Sequence, residues 1–400
     1  MLQGEQKLAV DKLRVWFNNP DIGRQYFTLF GAAGTGKSFT LSVFMEQLQI
    51  NKNSVMFGTL SGKAALVLRQ RGVEQAMTIH SLIYRAIPYT KPNGEQCVSF
   101  TKKDASDIPE HIKLIVIDEC SMIDNNMVKD ILSFNRRVIF VGDKYQLKPI
   151  FGVNTLMADV PDAELTEPRR QALDNSILQV ATDIRMGKYI NTRGMIGKNV
   201  LRVDTDYIKK NLHLLNSSDQ VICGLNNTRK VLNTAIRNLN TGIVFDPTDY
   251  NLPVNGDKVI CTKNNHDVGL INGQIGYISG VDVRPLQKLT RFSFNDGYNP
   301  TYNNISVATE LFTSNTIPDN VAKVNADLIT YLKTHASGVV IPDNIESFEY
   351  GYAITCHKSQ GSEFDKLIVF EEPAGGNSYL NWMYTAVTRA KQFLIIVECK

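Results

Sequence analysis

At 400 residues the chain has room for about two or three domains with cores of their own. Its 43% hydrophobic and 21% charged content is that of an ordinary globular protein and excludes a low-complexity or collagen-like chain. A net charge of +3 excludes a uniformly basic surface, so any nucleic-acid contact has to come from a local groove. No apolar run is long enough to span a bilayer, and the opening M-L-Q-G-E-Q-K lacks the apolar region of a secretory signal. The expected location is therefore the cytoplasm, with no membrane partner. Six cysteines (Cys97, Cys120, Cys223, Cys261, Cys356, Cys399) lack C-x-x-C spacing. They read as reduced thiols rather than as a disulfide framework or a zinc site.

In chain order, Leu8, Ala9, Val10, Leu13 and Phe17 recur at helical spacing, and the turn Asn18–Asp21 leads to a short apolar strand, Tyr26–Phe30. Gly31–Ser38 then reads G-A-A-G-T-G-K-S and meets the pattern G-x-x-x-x-G-K-[S/T] at every specified position. Phe39, Val43 and Leu48 continue at helical spacing. Strand, glycine loop and helix in that order aim backbone N–H groups at a phosphate on a helix N-terminus. Gly31, Gly34, Thr35, Gly36, Lys37 and Ser38 are thus expected to hold a nucleoside triphosphate. Lys37 would reach its β- and γ-phosphates and the Ser38 hydroxyl would hold Mg²⁺.

Ser54–Leu60, Leu114–Asp118 and Arg137–Asp143 are further apolar runs separated by helical patterns, which predicts a parallel sheet covered on both faces. Between Tyr84 and Pro109 the pattern breaks. Two alternating runs flank K-P-N-G-E, and Asn93-Gly94 is a hairpin signal, so an inserted β-hairpin carrying Tyr89 and Phe100 is expected. Beyond Leu165 the buried-type strands Asp219–Leu225, Lys366–Glu371 and Phe393–Glu398 predict a second α/β domain. It is interrupted by short strands and tight turns that read as a small barrel. The expected organisation is residues 1–165 with the hairpin at 84–109, then 166–254 with 346–400, and an insertion at 255–345. Elements between Leu286 and Pro342 are placed only loosely.

Asp118-Glu119 ends an apolar strand, where parallel sheets bind ligands. Alone, such a pair is usually a solvated strand end. After a phosphate loop, Asp118 is expected to complete the Mg²⁺ site with Ser38, and Glu119 to orient or deprotonate the attacking water. Gln146, in V-G-D-K-Y-Q-L-K-P, stands at the next strand end, where an amide can bond the γ-phosphate or its water. Arg169, Arg170 and Arg389 are candidate arginine fingers, although a surface salt bridge explains any one of them equally well from sequence.

Together these segments resemble the motif series of superfamily 1 helicases, in the 1B branch that contains the RecD and phage Dda helicases. The resemblance runs from Glu5-Gln6 to Lys391 apart from the hairpin and the middle insertion. It makes Gln6 the adenine-reading glutamine, Thr59–Ala65 (T-L-S-G-K-A-A) and Thr78–Leu82 (T-I-H-S-L) strand-contacting motifs, and Thr355–Glu363 (T-C-H-K-S-Q-G-S-E) the motif preceding the last strands. Leu60, Lys144 and Lys148 stand where the family often has proline. The resemblance implies an α/β fold of two RecA-like P-loop domains, parallel sheets flanked by helices, with a β-hairpin inserted in the first and a small β-barrel in the second. ATP and Mg²⁺ would be the cofactors, with Glu363 at the nucleotide and Arg170 and Arg389 as fingers. Single-stranded DNA would meet Thr59, Ser61, Lys63, Thr78, His80, Thr355, His357, Lys358 and Ser359. Tyr89 and Phe100 would form a wedge at duplex junctions, with movement from 5′ to 3′. A monomer in a bacterial or phage-infected cytoplasm is expected, with replication or recombination proteins as partners. An RNA helicase of the same superfamily, or an ATP-gated single-strand-binding module, remains an alternative. A small-molecule kinase would explain the loop but not the C-terminal motifs.

Overall fold

A computed structural model describes residues 2, 4–19, 23–59, 62–70, 72–90, 96–148, 152–167, 175–188, 190–242, 252–265, 268–297, 299–313, 321–335, 342, 344–372 and 379–399. The chain forms two compact units. One is Met1–Asn191 with Gly375–Thr388, the other Thr192–Ala374 with Arg389–Lys400. Among the described residues no helix is long and apolar enough to cross a membrane.

The first unit runs α1 (Gly4–Asn18), β1 (Tyr26–Gly31), α2 (Lys37–Gln47), β2 (Val55–Thr59), α3 (Gly62–Gln70), β3 (Ala76–Thr78), α4 (Ile79–Ile83), β4 (Tyr84–Thr90), β5 (Gln96–Lys102), β6 (Leu114–Ile117), α5 (Asn125–Leu132), β7 (Arg137–Gly142), β8 (Ala163–Leu165) and α6 (Ser176–Arg185). Its sheet has the order β3-β2-β6-β7-β1-β8 with every pair parallel. The strands are apolar without interruption because both faces are covered. Ile139 and Val141 pack on one side with Leu13 and Trp16 of α1 and Phe44 of α2, while Val138 and Phe140 pack on the other with Leu82 of α4 and Ile131 of α5. Alternate side chains thus enter two different cores.

β4 and β5 pair antiparallel from Tyr84↔Lys102 to Thr90↔Gln96, and the tip at 91–95 lies outside the described residues.

The compact units divide the chain elsewhere than at residue 165. α6 stays with the first unit, as does the helix Tyr379–Val387 from far along the chain. α6 buries Ile177, Val180, Ala181 and Ile184, and the late helix buries Trp382, Met383, Ala386 and Val387, so each has an apolar face to cover. Where those faces go depends on tertiary packing, which strand counting does not read.

In the second unit, β9 (Gly194–Ile196), β10 (Val200–Asp204), β11 (Gln220–Cys223), β17 (Ala353–Thr355), β18 (Phe364–Glu371) and β19 (Ala390–Glu398) form a sheet of order β17-β11-β18-β19-β10-β9, parallel except for the edge strand β9. The helix α7 (Asn226–Thr241) follows β11; the Glu372 carboxylate accepts from the N–H groups of Gly224 (2.7 Å) and Leu225 (2.8 Å) and from the Thr228 hydroxyl, placing negative charge at its N-terminal end.

Inserted in this chain path is a five-stranded antiparallel sheet of order β15-β14-β13-β12-β16, made of β12 (Lys258–Cys261), β13 (Ile275–Arg284), β14 (Leu289–Asn295), β15 (Tyr302–Ala308) and β16 (Phe348–Tyr350), with α8 (Val321–His335) before its last strand. A bridge from Val307 to Glu346 draws the β15 edge towards the chain entering β16. Among the described residues the insertion has no separate core. Phe292, Phe294 and Phe348 belong to the same buried cluster as Val221, Ala353, Ile368 and Val397 of the parallel sheet.

Candidate nucleotide site

The first unit's sheet carries β1, β7 and β6 side by side, so the segments leaving their C-terminal ends share one edge. Those segments are the loop Gly31–Ser38, Asp143–Leu147 and Asp118-Glu119. The loop turns tightly because Gly34 (φ 77°) and Gly36 (φ 88°) take left-handed backbone that L side chains avoid. Thr35 is buried and its hydroxyl donates to the Ala32 carbonyl at 2.8 Å. Gln6 of α1, also buried, donates its side-chain amide to the Thr35 carbonyl at 2.8 Å. The residue read as adenine-facing is therefore fixed to the phosphate loop itself. Lys37 Nζ lies against the loop's own carbonyls, 2.6 Å from Gly31 and 3.2 Å from Ala32, and Ser38 is exposed at the start of α2.

Asp118 and Glu119 are half-buried; Glu119 has a positive φ of 54° and donates its N–H to Asp118 Oδ1 at 2.9 Å. Behind them Cys120 is buried against Gly142, where an added Cβ would sit 2.7 Å from the Cys120 sulfur. Burial and the two adjacent carboxylates push that thiol well above its ordinary range, so it is an inert packing group.

Asp143 is fully buried and Gln146 nearly so. Burial raises the Asp143 carboxyl above the ordinary carboxylate range, against the opposing pull of the Lys37 charge and of hydrogen bonds from the Tyr384 hydroxyl and the Tyr145 N–H. Sequence reasoning passed over the helix Tyr379–Val387, which holds this segment. Tyr384 OH donates to Asp143 Oδ2 at 2.6 Å, the Leu147 N–H donates to the Thr385 hydroxyl at 2.9 Å, and the Asn381 amide reaches the Tyr145 and Gln146 carbonyls at 2.8 and 3.2 Å. Its only sequence signal was the polar residues standing just ahead of Arg389 in N-W-M-Y-T-A-V-T-R.

Comparison with known proteins finds two domain models along the chain. Residues 2–199 match an AAA domain model, and residues 350–397 match the UvrD-like helicase C-terminal domain. The chain is 25% identical over 409 residues to the ATP-dependent RecD2 DNA helicase of Deinococcus radiodurans, covering 98% of this chain and 48% of that protein. It is 22% identical over 416 residues to the ATP-dependent DNA helicase Pif1 of Campylobacter jejuni, covering 90% of this chain and 86% of that one. The chain thus pairs an AAA domain with a UvrD-like helicase C-terminal domain and is similar to the RecD- and Pif1-like helicases along its length. Solved Pif1 helicases share the fold. The Bacteroides Pif1 complex with ADP-AlF3 and ssDNA gives a TM-score of 0.56 at 17% identity over 100% of this chain and 93% of that one, and Candida albicans Pif1 gives 0.52 at 16% over 100% and 95%. The chain spans about half the length of the RecD2 relative and 36% of the Methanocaldococcus jannaschii protein MJ1519, which it also matches.

The remaining residues expected from the helicase motifs fall into three groups. Arg169, Arg170 and Ser61 lie outside the described residues, as do the side chains of Lys63, Tyr89 and Phe100. Some are turned inward. Thr59 is buried with its hydroxyl towards the Met77 carbonyl at 3.4 Å, and Ser359 is buried, donating to the Cys356 carbonyl at 2.7 Å. Thr78 caps α4 by accepting from the Ser81 N–H at 3.1 Å.

Others, apart from the buried Arg389, are partly or fully accessible. His80 is exposed with its ring 5.2 Å from that of Tyr84, and Glu363 is exposed after the turn at Gly361. Thr355 and His357 are half-buried at the end of β17, where burial lowers the His357 imidazole below its ordinary value. Lys358, half-buried, lies 3.7 Å from Glu349, which also pairs with Arg229. Arg389 is buried where β19 begins in the second unit, and its carbonyl accepts from the Phe364 N–H at 2.8 Å. The free cysteines Cys120, Cys223, Cys261 and Cys356 are all buried, and no cluster of three metal-ligating His, Cys, Asp or Glu side chains occurs among the described residues.

Proposed function

We propose that this chain is an ATP-driven motor on single-stranded DNA that moves from 5′ to 3′ and opens duplex ahead of it. The observation that carries the reading is the shared sheet edge of β1, β6 and β7, which brings Lys37, Asp118-Glu119 and Gln146 to one side of a single parallel sheet. In this reading the loop N–H groups and Lys37 hold the phosphates, and Glu119 and Gln146 orient the attacking water. Arg170 and Arg389 stabilise charge on the transferring phosphoryl, and Glu363 contacts the nucleotide. The Ser38 hydroxyl and the Asp118 carboxylate are both oxygen donors, the type Mg²⁺ takes, and they would hold the ion that neutralises the phosphates. His80, Thr355 and His357, which the fold leaves partly or fully accessible, meet the strand together with Ser61 and Lys63. The hairpin β4–β5, with Tyr89 and Phe100, serves as the wedge. The names of the relatives, DNA helicases of the RecD2 and Pif1 kinds, support DNA as the track.

ATP hydrolysis is expected to rise steeply on adding single-stranded DNA and less on adding RNA. A rate indifferent to both would overturn the reading, and a preference for RNA would change its track. Lys37→Ala should abolish turnover. Partial duplexes with a 5′ or a 3′ tail test direction: unwinding of the 3′-tailed substrate alone would refute the proposed polarity.

A further inference from the structure

Three polar side chains of the helix Tyr379–Val387, those of Asn381, Tyr384 and Thr385, reach the segments of the nucleotide site. Tyr384 is 2% exposed, and its hydroxyl sits between two groups of the nucleotide site. It accepts a hydrogen bond from the Ala33 N–H at 2.8 Å and donates one to Asp143 Oδ2 at 2.6 Å. Ala33 lies inside the phosphate loop, 351 residues away in sequence. The same helix holds the main chain of the segment bearing Gln146 at three further points, the Tyr145 and Gln146 carbonyls and the Leu147 N–H. A phenol is suited to this bridge. Its one proton goes to a buried carboxylate while a lone pair takes an amide proton, so both polar groups are satisfied without adding a charge. Burial and the Asp143 charge push the phenol's proton release far above working pH, so the hydroxyl remains a donor throughout.

We propose that Tyr384 is a positioning residue for phosphoryl transfer: through its single hydroxyl it sets the phosphate loop, at Ala33, in register with the Asp143–Leu147 segment that carries Gln146. The inference rests on the reading that Gly31–Ser38 holds ATP and that Gln146 orients the attacking water. A Phe at this position keeps the ring packed against Tyr145 (centroids 6.1 Å apart) but leaves the Ala33 N–H and one Asp143 oxygen without this partner. The loop would still offer its other N–H groups and Lys37 to a phosphate. The loss therefore falls on the alignment of Gln146 more than on ATP affinity, and misplacement of a reacting group by about 1 Å costs roughly 10²-fold in rate.

The experiment is steady-state ATP hydrolysis by the full chain at saturating single-stranded DNA, comparing wild type, Tyr384→Phe and Lys37→Ala across pH. For Tyr384→Phe the expected result is a fall in kcat of about 10- to 100-fold with KM for ATP changed by less than about threefold. An acidic limb set by Asp143 ionisation should also move to higher pH. Asp143 faces Lys37, Glu119, the Tyr145 N–H and Tyr384; removing the hydroxyl withdraws a hydrogen bond that favours the ionised form and raises its pKa further. A purely structural role would shift the melting temperature without this split or this displacement of the limb.

Wild-type kcat, KM and limb in Tyr384→Phe would overturn the proposal while leaving the ATP site intact, as long as Lys37→Ala is inactive. Absence of hydrolysis by wild type would instead overturn the site reading on which it rests. Should Tyr384→Phe fail to fold, Asp143→Asn keeps the bridge's acceptor but removes its charge. It should also lower kcat more than it changes KM, and wild-type kcat and KM in this variant would overturn the proposal by that route.

Discussion

Arg237 of α7 is 1% exposed and Asp257, at the entry to β12, is fully buried. The guanidinium Nε lies 3.0 and 2.9 Å from the two carboxylate oxygens, and the carboxylate also accepts from the Val254 N–H at 2.8 Å and the Tyr352 hydroxyl at 2.9 Å. The guanidinium carbon stands 5.0 Å from the centre of the Tyr350 ring. This cluster ties the helix of the parallel-sheet layer to the first strand of the inserted sheet. Arg237→Met keeps most of the apolar stem but leaves Asp257 with two neutral donors and no countercharge.

Breaking a buried pair from one side costs about 3–5 kcal/mol, because the remaining charge keeps its desolvation penalty. In a unit of this size about 2–4 °C accompanies each kcal/mol, so the transition should fall by roughly 6–20 °C. Calorimetry measures the shift, and hydrogen exchange in segments 226–241 and 252–262 should show where protection is lost. Adding Asp257→Asn should recover part of the loss, since an amide still offers an acceptor without a stranded charge. A shift under about 2 °C, or a loss that Asp257→Asn does not relieve, would refute the reasoning.

Gly142→Ala should destabilise the first unit by about 1–3 kcal/mol through overpacking, because the new Cβ meets the Cys120 sulfur at 2.7 Å; urea unfolding should show Cys120→Ala relieving much of it, and additive losses would contradict the clash. Glu349 is half-buried, which by itself raises its pKa, but Lys358 and Arg229 outweigh this and hold it below 4.5. Its contribution to stability is therefore complete above that value and fades as pH falls through the lower folded-state pKa, so Glu349→Gln should flatten the acid side of a stability–pH curve; an unaltered slope would argue against the ion pairs. Shortening the hairpin Tyr89–Thr101 should reduce duplex unwinding more than DNA-stimulated ATP hydrolysis, and equal loss of both would exclude a wedge.

The sheet edge of the first unit that carries Gly31–Ser38, Asp118 and Gln146 was legible because its signals are local in the chain. Gly34 and Gly36 are required by left-handed backbone, and Lys37 and Ser38 by their place at the start of a helix. Asp118 and Gln146 are required by strand ends that an apolar run announces. The strands Tyr26–Phe30, Leu114–Asp118 and Arg137–Asp143, and the hairpin flanking Asn93-Gly94, lay within a residue or so of β1, β6, β7 and of β4 with β5. Less legible was the insertion. Between Leu286 and Pro342 the polar and aromatic alternation belongs to β14 and β15, twisted by register shifts near Phe292 and Ser279 that blur a period of two. Thr59 and Ser359 show the other limit. A hydroxyl in a motif reads as a ligand contact in sequence, yet both side chains satisfy main-chain carbonyls beneath the surface.

By itself the sequence determined the phosphate loop, the strands that lead into it and the motif order that marks the family, since each depends on residues close together in the chain. The partners of that loop were decided by tertiary structure. Gln6 reaches it from α1, and Tyr384 from a helix near the other end of the chain, through hydrogen bonds whose donors and acceptors are ordinary residue types. Hydrogen bonds of this kind follow no spacing rule. They exist because buried N–H and carboxylate groups must find partners, and only the folded chain sets which side chain stands within 3 Å of them.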